Sequence, residues 1–295
     1  MAEPATLRLT PPVRPEFVIE RQRVGDIGDV ARPLSVWERI TDNAAFRRTM
    51  ILIVLGIAWE LYARWVNNPL MMPPLSVVLA SLWDEVVNGP LIDRTLTTIR
   101  VLLLGYGAGI LLSAVLTTFA VSTRMGNDLL STLTAMFNPL PAIALLPLAL
   151  LWFGLGIPSL VFVIVHSVVW AVSLNTHIGF MSVSDTQRMA GQNYGLRGIS
   201  YVTRLLIPAA FASILAGLKI GWAFAWRTLI AAELVFGVSS RSGGLGWYIF
   251  ENRNQLLTAN VFAGLLMVII IGLFVESVVF RAIESRTVRK WGMQR

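Results

Sequence analysis

The sequence predicts an all-α polytopic membrane protein with about six transmembrane helices, and three observations carry that expectation. Only 14% of the 295 residues are charged while 55% are hydrophobic, against roughly 25% charged in an ordinary soluble domain. Mean hydropathy is +0.67. The apolar residues gather into several long runs, and a bilayer demands about 20 such residues per helical crossing. The absence of Cys removes thiolate nucleophiles, redox couples and thiolate metal sites, and two His leave metal chemistry little to work with. The net charge of +7 is almost all Arg, with Lys only at 219 and 290. In a membrane protein such an excess sets orientation rather than binding nucleic acid.

Residues 1–48 read as a polar tail, whose Pro4, Pro11, Pro12, Pro15 and Pro33 and mixed charges argue against a packed core. No apolar h-region occurs there, so the tail does not read as a cleavable secretory signal. Leu34, Val36, Trp37, Ile40, Ala44 and Phe46 recur at helical spacing among Glu38, Arg39, Asp42, Arg47 and Arg48. That pattern suits a short helix on the membrane surface, or equally a solvated leader helix. Residues 49–295 form the membrane domain.

Six spans are expected at about 49–66, 99–121, 129–151, 158–178, 209–233 and 260–281. The third contains Pro139, Pro141 and Pro147, each lacking a backbone donor, and is expected to be kinked or broken. Between the first two, Pro73 and Pro74 precede an amphipathic stretch from Ser76 to Val87 that stops at Asn88-Gly89-Pro90. It is too short and too charged to cross, and is placed at the interface.

Six crossings return both termini to one side. That side collects Arg32, Arg39, Arg47, Arg48, Arg124, Arg188, Arg197, Arg204, Arg281, Arg286, Arg289, Lys290 and Arg295, against Arg64, Arg94, Arg100, Arg241 and Arg253 on the other. The asymmetry puts the termini, and the connection at about 179–208, in the cytoplasm.

No phosphate-binding loop, H-E-x-x-H or G-x-S-x-G string occurs, so the common nucleotide, zinc and acyl machinery is missing. The chain is not expected to be an enzyme. Gly105-Tyr-Gly-Ala-Gly109 sits inside an apolar helix, where Gly105, Gly109 and Ser113 make a smooth ridge for close helix packing rather than a dinucleotide loop.

The cytoplasmic connection reads Asp185-Thr-Gln-Arg-Met-Ala-Gly-Gln-Asn-Tyr-Gly195-Leu-Arg-Gly, and runs on to Pro208. It resembles the signature loop of the permease subunits of binding-protein-dependent ABC importers: an E-A-A triplet, a Gly four residues beyond it, and I-x-L-P downstream. Here the triplet position is Met189-Ala190-Gly191, the loop Gly is Gly195, and the ending is Leu206-Ile207-Pro208. Met189 stands where the Glu would be. Ala142-Ile-Ala-Leu-Leu-Pro-Leu-Ala-Leu-Leu-Trp-Phe-Gly154, Ala225-Trp226, Ala231-Ala232-Glu233 and Gly244-Leu245-Gly246 are similar to the nitrate, sulfonate and taurine branch of those permeases. Together the resemblance covers roughly residues 69–282.

The resemblance implies a type I ABC importer permease fold. It implies a short coupling helix docked on a separate cytoplasmic ATPase, with Arg188, Met189, Ala190, Gly191, Gly195, Arg197 and Pro208 as the coupling residues. Gly195 permits a tight turn at positive φ and Pro208 ends the approach to the next span. Arg188 and Arg197 are the candidate polar contacts. The partners implied are a second permease copy in a homodimer, two ATPase subunits that bind the ATP and Mg, and an extracytoplasmic solute-binding protein. The location implied is a bacterial-type inner membrane. No cofactor, metal or nucleic acid is expected on this chain.

On the fifth span, at about 100° per residue, Lys219, Trp226, Arg227, Ile230 and Glu233 share one half. Ser213, Gly217, Gly221 and Ala225 form a small-residue ridge on the other. The ridge is expected to pack against neighbouring helices, and Lys219, Trp226, Arg227 and Glu233 to face a translocation path. Lys219 lies about 15 Å into the span, where an ammonium needs water or a partner. It is read either as an anion-attracting path residue or as the partner of a carboxylate such as Glu60 or Glu276. For Arg227 and Glu233, interfacial anchoring or mutual pairing competes with a path role. Glu60 and Arg64 are expected to pair within one helix; His166 and His177 are expected to pack or cap rather than bind metal. The branch resemblance, together with Lys219 and Arg227, implies small anions such as nitrate, sulfonates, taurine or related organic acids as the solutes. The competing class is a secondary transporter or channel working without an ATPase, which predicts inverted repeats and a carboxylate relay.

Overall fold

The computed structural model describes residues 42–235 and 243–288. The chain divides into two units, Met1–Val54 and Leu55–Arg295. In the first, Asn43 caps the opening turn of α1 (Ala44–Val66), its Oδ1 accepting from the Ala45 N–H at 2.9 Å. The predicted surface helix over 34–48 falls mostly outside the described residues.

In the second unit, α1 exposes almost all of its apolar side chains, which suits a lipid-facing helix. Five helices among the described residues are long and apolar enough to cross a membrane: α1, α3 (Leu91–Ser122), α6 (Ile157–Met181), α9 (Phe211–Val235) and α11 (Thr258–Arg286). The third expected span is a bent pair, α4 (Arg124–Phe137) and then Ala142–Phe153, which contains α5 (Leu146–Phe153), with an angle of 88° between them, the form of a broken span or of a re-entrant loop. The break falls at Asn138–Pro141, where Pro139 and Pro141 cannot donate the bonds a continuous helix needs. Pro147 sits in the first turn of α5, where a missing N–H costs nothing.

The second span begins at Leu91, eight residues before the predicted 99, because Asp93 and Arg94 are accommodated at its end. Arg94 Nη1 donates to the Gly243 carbonyl at 2.9 Å, and Nη2 lies 3.7 Å from Glu251. The interfacial helix is α2 (Leu75–Val87). Its free N-terminal amides meet a carboxylate from α1: Glu60 accepts from the Ser76 N–H at 3.0 Å and from its hydroxyl at 2.9 Å. The same Glu60 pairs with Arg64 at 2.6 Å, as one helical turn of separation predicts.

At the centre lies α6, flanked by α3 and α9. Both small-residue ridges face it. The first brings Gly105 and Gly109 against Ile164 and Val168, and the second brings Gly217 and Gly221 against Val172 and its neighbours. Ser113 joins the seam by a 2.8 Å hydrogen bond to Ser173. The core between these helices includes Leu102, Ile164, Val168, Ala225 and Leu229, all fully buried. One helix was not anticipated from the sequence. α10 (Leu245–Asn254) packs on α9 and α11 without crossing anything. Asn260 of α11 ties it to α2, donating to Glu85 at 2.9 Å and to Asn252 at 3.0 Å and accepting from Ser81 at 2.7 Å.

Candidate functional site

Two regions carry the sequence-predicted residues. The first is the connection after α6. There α7 (Asp185–Asn193) starts at Ser184, whose hydroxyl accepts from the Gln187 N–H, the local arrangement that Ser favours at a helix start. The rod ends at Gly195, with φ of +76°, where the Gly195 and Leu196 amides close back on the Gln192 and Gly191 carbonyls at 2.9 and 3.0 Å. Gly198, which the sequence reading did not single out, repeats the left-handed backbone at φ +55°. The chain then runs over residues 198–209 as α8, helical at Gly198–Tyr201 and Ile207–Ala209 with a π turn at Val202–Leu206 between them. This wide turn precedes Pro208, which cannot supply an amide to it. α9 follows at Phe211.

The inner face of the rod is set by Gly191, which is buried against Leu205. The guanidinium of Arg188, expected as a polar contact of the coupling loop, turns back to the end of α6: Nη2 donates to the Phe180 carbonyl at 2.5 Å, Nε to Val183 at 3.1 Å, and Nη1 reaches the Tyr201 hydroxyl at 3.5 Å. The end of a helix carries unsatisfied carbonyls and partial negative charge, so a cation belongs there. Arg188 thus straps α7 to α6 and α8. Arg197, Gln192 and Tyr201 share with it a polar cavity of about 450 Å³. Met189, Ala190 and Arg197 are exposed.

The second region is a cavity of about 380 Å³ beside the break in the third crossing, lined by residues 137–143, by His166, Ser167 and Trp170 of α6, and by Phe224, Arg227, Thr228 and Ala231 of α9. Its walls are aromatic and polar. Phe137 stacks on Trp170 with ring centroids 5.4 Å apart, and Ser167 donates to Thr228 at 2.8 Å. His166 Nδ1 accepts from Trp170 Nε1 at 3.3 Å, a packing contact. Arg227 is held over Phe224, 5.1 Å from the ring centroid, and donates Nε–H to the Ala223 carbonyl at 3.1 Å. Among the described residues no group of three His, Asp or Glu could hold a metal ion.

Of the four residues expected on a path, the structure puts Arg227 at this cavity and the others elsewhere. Trp226 is buried in the central core, its indole toward Gly272 of α11. Lys219 pairs with neither Glu60 nor Glu276: its ammonium lies 2.6 Å from Glu284, at the end of α11. Glu233 is 4% exposed and does not pair with Arg227. Its carboxylate receives the Thr98 hydroxyl at 2.9 and 3.0 Å and the Gly246 N–H at 2.7 Å, while Thr98 Oγ1 accepts from the Leu245 N–H at 2.7 Å. These are the first amides of α10, a site built for an anion.

Gly244 and Gly246 are required by the same contact. A Cβ on Gly244 would overlap the Glu233 carboxylate and Thr98, and one on Gly246 would stand 2.6 Å from the Ile230 carbonyl. The clamp joins three stretches of chain whose separation in sequence hid it. The Ala231-Ala232-Glu233 and Gly244-Leu245-Gly246 strings were its only visible trace.

Residues 105–289, more than half of the chain, match the family described as binding-protein-dependent transport system inner membrane component. The chain belongs to that family. A protein named as an ABC transporter permease in Methanocaldococcus jannaschii is 31% identical over 75% of this chain and 83% of its own length. The taurine transport system permease protein of Escherichia coli is 29% identical, covering 80% of this chain and 86% of that one. The nitrate import permease protein of Synechocystis is 26% identical over 78% and 85%. The chain is therefore an all-helical, multi-pass ABC transporter permease of the nitrate, sulfonate and taurine branch, a transport component of the inner membrane rather than an enzyme.

Proposed function

We propose that this permease forms the translocation path of an ATP-driven importer for a small anion, such as nitrate, taurine, another sulfonate or a related organic acid. One observation carries the anion reading: the exposed Arg227 guanidinium on the wall of the cavity beside the broken third crossing. A permanently charged fork beside hydroxyl groups and aromatic rings suits an anionic head on a small apolar body. Relatives whose names specify taurine and nitrate point the same way.

In this reading two copies of the chain pair around the path. An external binding protein delivers the solute, and two cytoplasmic ATPase subunits, which hold the ATP and Mg, drive the change between outward and inward access. The basic residues gathered near the termini and the 179–208 connection support a cytoplasmic location for both. α7 is then the coupling rod. It is short, closed at both ends by hydrogen bonds, and strapped to the end of α6 by Arg188, so a push on it moves α6 and the cavity wall that α6 carries.

The test is uptake by proteoliposomes containing the permease, its ATPase and its binding protein, with labelled taurine, an alkyl sulfonate and nitrate. Uptake of at least one should require ATP and fall when Arg227 is replaced by Gln. Equal uptake by the permease alone would instead identify a secondary transporter.

A further inference from the structure

The polar cavity beside α7 gathers hydrogen-bond donors and positive charge. It lies where three elements meet: Arg188 and Gln192, one turn apart on α7, Val121 in the last turn of α3, and Tyr201 of α8, with Arg197 on the short connection between α7 and α8. Among the described residues no Asp or Glu lines it. Arg188 uses three of its five N–H groups on Phe180, Val183 and Tyr201, which leaves one on each of Nη1 and Nη2. The Tyr201 hydroxyl accepts from Arg188, and its own proton has no acceptor among the described residues. The Arg197 guanidinium and the Gln192 amide likewise have no partner among them. Two guanidiniums on the wall of one carboxylate-free cavity repel each other, and an anion between them turns that repulsion into attraction.

The place of the cavity says which anion. α3 ends at Ser122 and α6 at Met181, so the cavity stands at the ends of two spans, the depth of lipid headgroups. Basic pockets between spans at that depth hold phosphate headgroups, and the cytoplasmic leaflet is the anionic one. Its volume of about 450 Å³ is more than a bare oxyanion fills, and Val121 and Leu196 add apolar wall suited to glycerol carbons. We propose that this cavity binds a phosphodiester, supplied by the headgroup of an anionic phospholipid such as phosphatidylglycerol. Arg188 and Arg197 hold the phosphate oxygens, Tyr201 and Gln192 donate to the same group, and the bound lipid ties α7 and α8 to the end of α3. This rests on the cytoplasmic placement of the 179–208 connection proposed above, and on neither the solute nor the ATPase.

The full-length permease, in a phosphatidylcholine and detergent mixture, is titrated with phosphatidylglycerol, and bound lipid is counted by native mass spectrometry. Wild type should hold phosphatidylglycerol in preference to phosphatidylcholine. Arg197→Gln should weaken that binding about tenfold, the scale of one hydrogen bond to a charged group. Tyr201→Phe, which keeps the ring and loses the proton, should weaken it less, and Arg197→Lys should fall between wild type and Gln. Arg204→Gln removes an exposed cation of α8 that lies outside the cavity and should bind as wild type does. Size-exclusion profiles check that each variant keeps its fold. Equal loss in Arg204→Gln and Arg197→Gln would show diffuse surface charge in place of a site, and wild-type binding by both Arg197→Gln and Tyr201→Phe would remove the cavity from consideration. Displacement of phosphatidylglycerol by inorganic phosphate at matched concentration would make this a free-phosphate site and overturn the lipid assignment. Uptake by proteoliposomes decides the importer reading separately, so either can fail while the other stands.

Discussion

Thr98 and Glu233 lie 135 residues apart, and the hydroxyl of one donates to both carboxylate oxygens of the other at 2.9 and 3.0 Å. Their shared target is the start of α10, reached by the Gly246 amide on Glu233 and the Leu245 amide on Thr98. Removing either partner strands buried polar groups. Thr98→Val should cost about 2 kcal/mol, the scale of a buried hydrogen bond to a charged group. Thr98→Ser, which keeps the hydroxyl, should cost much less. Thermal unfolding in detergent, followed by tryptophan fluorescence, measures both. Equal stability of the Val and Ser variants would mean the hydroxyl is dispensable.

Much of the bundle was legible in the sequence because the bilayer imposes a length on apolar runs, and five of the six expected spans appear as single helices close to their predicted bounds. Pro139 and Pro141 announced the break in the third expected span because proline removes donors wherever it sits. Small-residue spacing likewise told which faces of α3 and α9 approach another helix, though not that both approach α6. Side-chain partners were far less legible. Helical phase put Lys219, Trp226, Arg227 and Glu233 on one half of α9, but a neighbour can stand on any part of that half. Trp226 meets α11, Glu233 meets α10, and only Arg227 meets the cavity. α10 itself, with Gly, Asn and charged residues in ten positions, is recognisable only once Glu233 is seen to receive its first turn.

Gly195 sets the end of α7, the proposed coupling rod, at φ +76°. No side chain lies within 4 Å of where its Cβ would be, so a substitution there is penalised by backbone conformation alone. Gly195→Val should cost about 1–2 kcal/mol locally, while Gly195→Asn, which tolerates the left-handed region, should cost less. In the purified complex the Val variant should retain less ATPase than the Asn variant. Identical retention would separate the turn from docking.

Arg188 contacts the α6 terminus rather than solvent, so its loss should act on transmission and leave docking in place. With Arg188→Ala, the ATPase should still copurify and hydrolyse ATP, but the solute moved per ATP should fall about tenfold, as a loosened lever wastes its stroke. Arg188→Lys, with three donors on a single nitrogen, cannot reach Phe180, Val183 and Tyr201 together and should be intermediate. Loss of ATPase and transport in equal proportion would make Arg188 a docking residue after all.

Lys219 and Glu284 present the opposite case, a cation whose partner is already in the chain. The side chains are 29% and 20% exposed, with 2.6 Å between ammonium and carboxylate. Water screens such a pair less than a surface bridge, yet it escapes the full desolvation of a dry core. Each single change, Lys219→Met or Glu284→Gln, should therefore cost about 1–2 kcal/mol, and the double variant less than the two added together. The decisive measurement is the double-mutant cycle, with anion uptake recorded on the same four proteins. If Lys219 serves only to fasten α11 to α9, uptake per folded molecule should survive in the double variant. A strictly additive cycle with uptake lost in Lys219→Met, and not in Glu284→Gln, would return Lys219 to the translocation path.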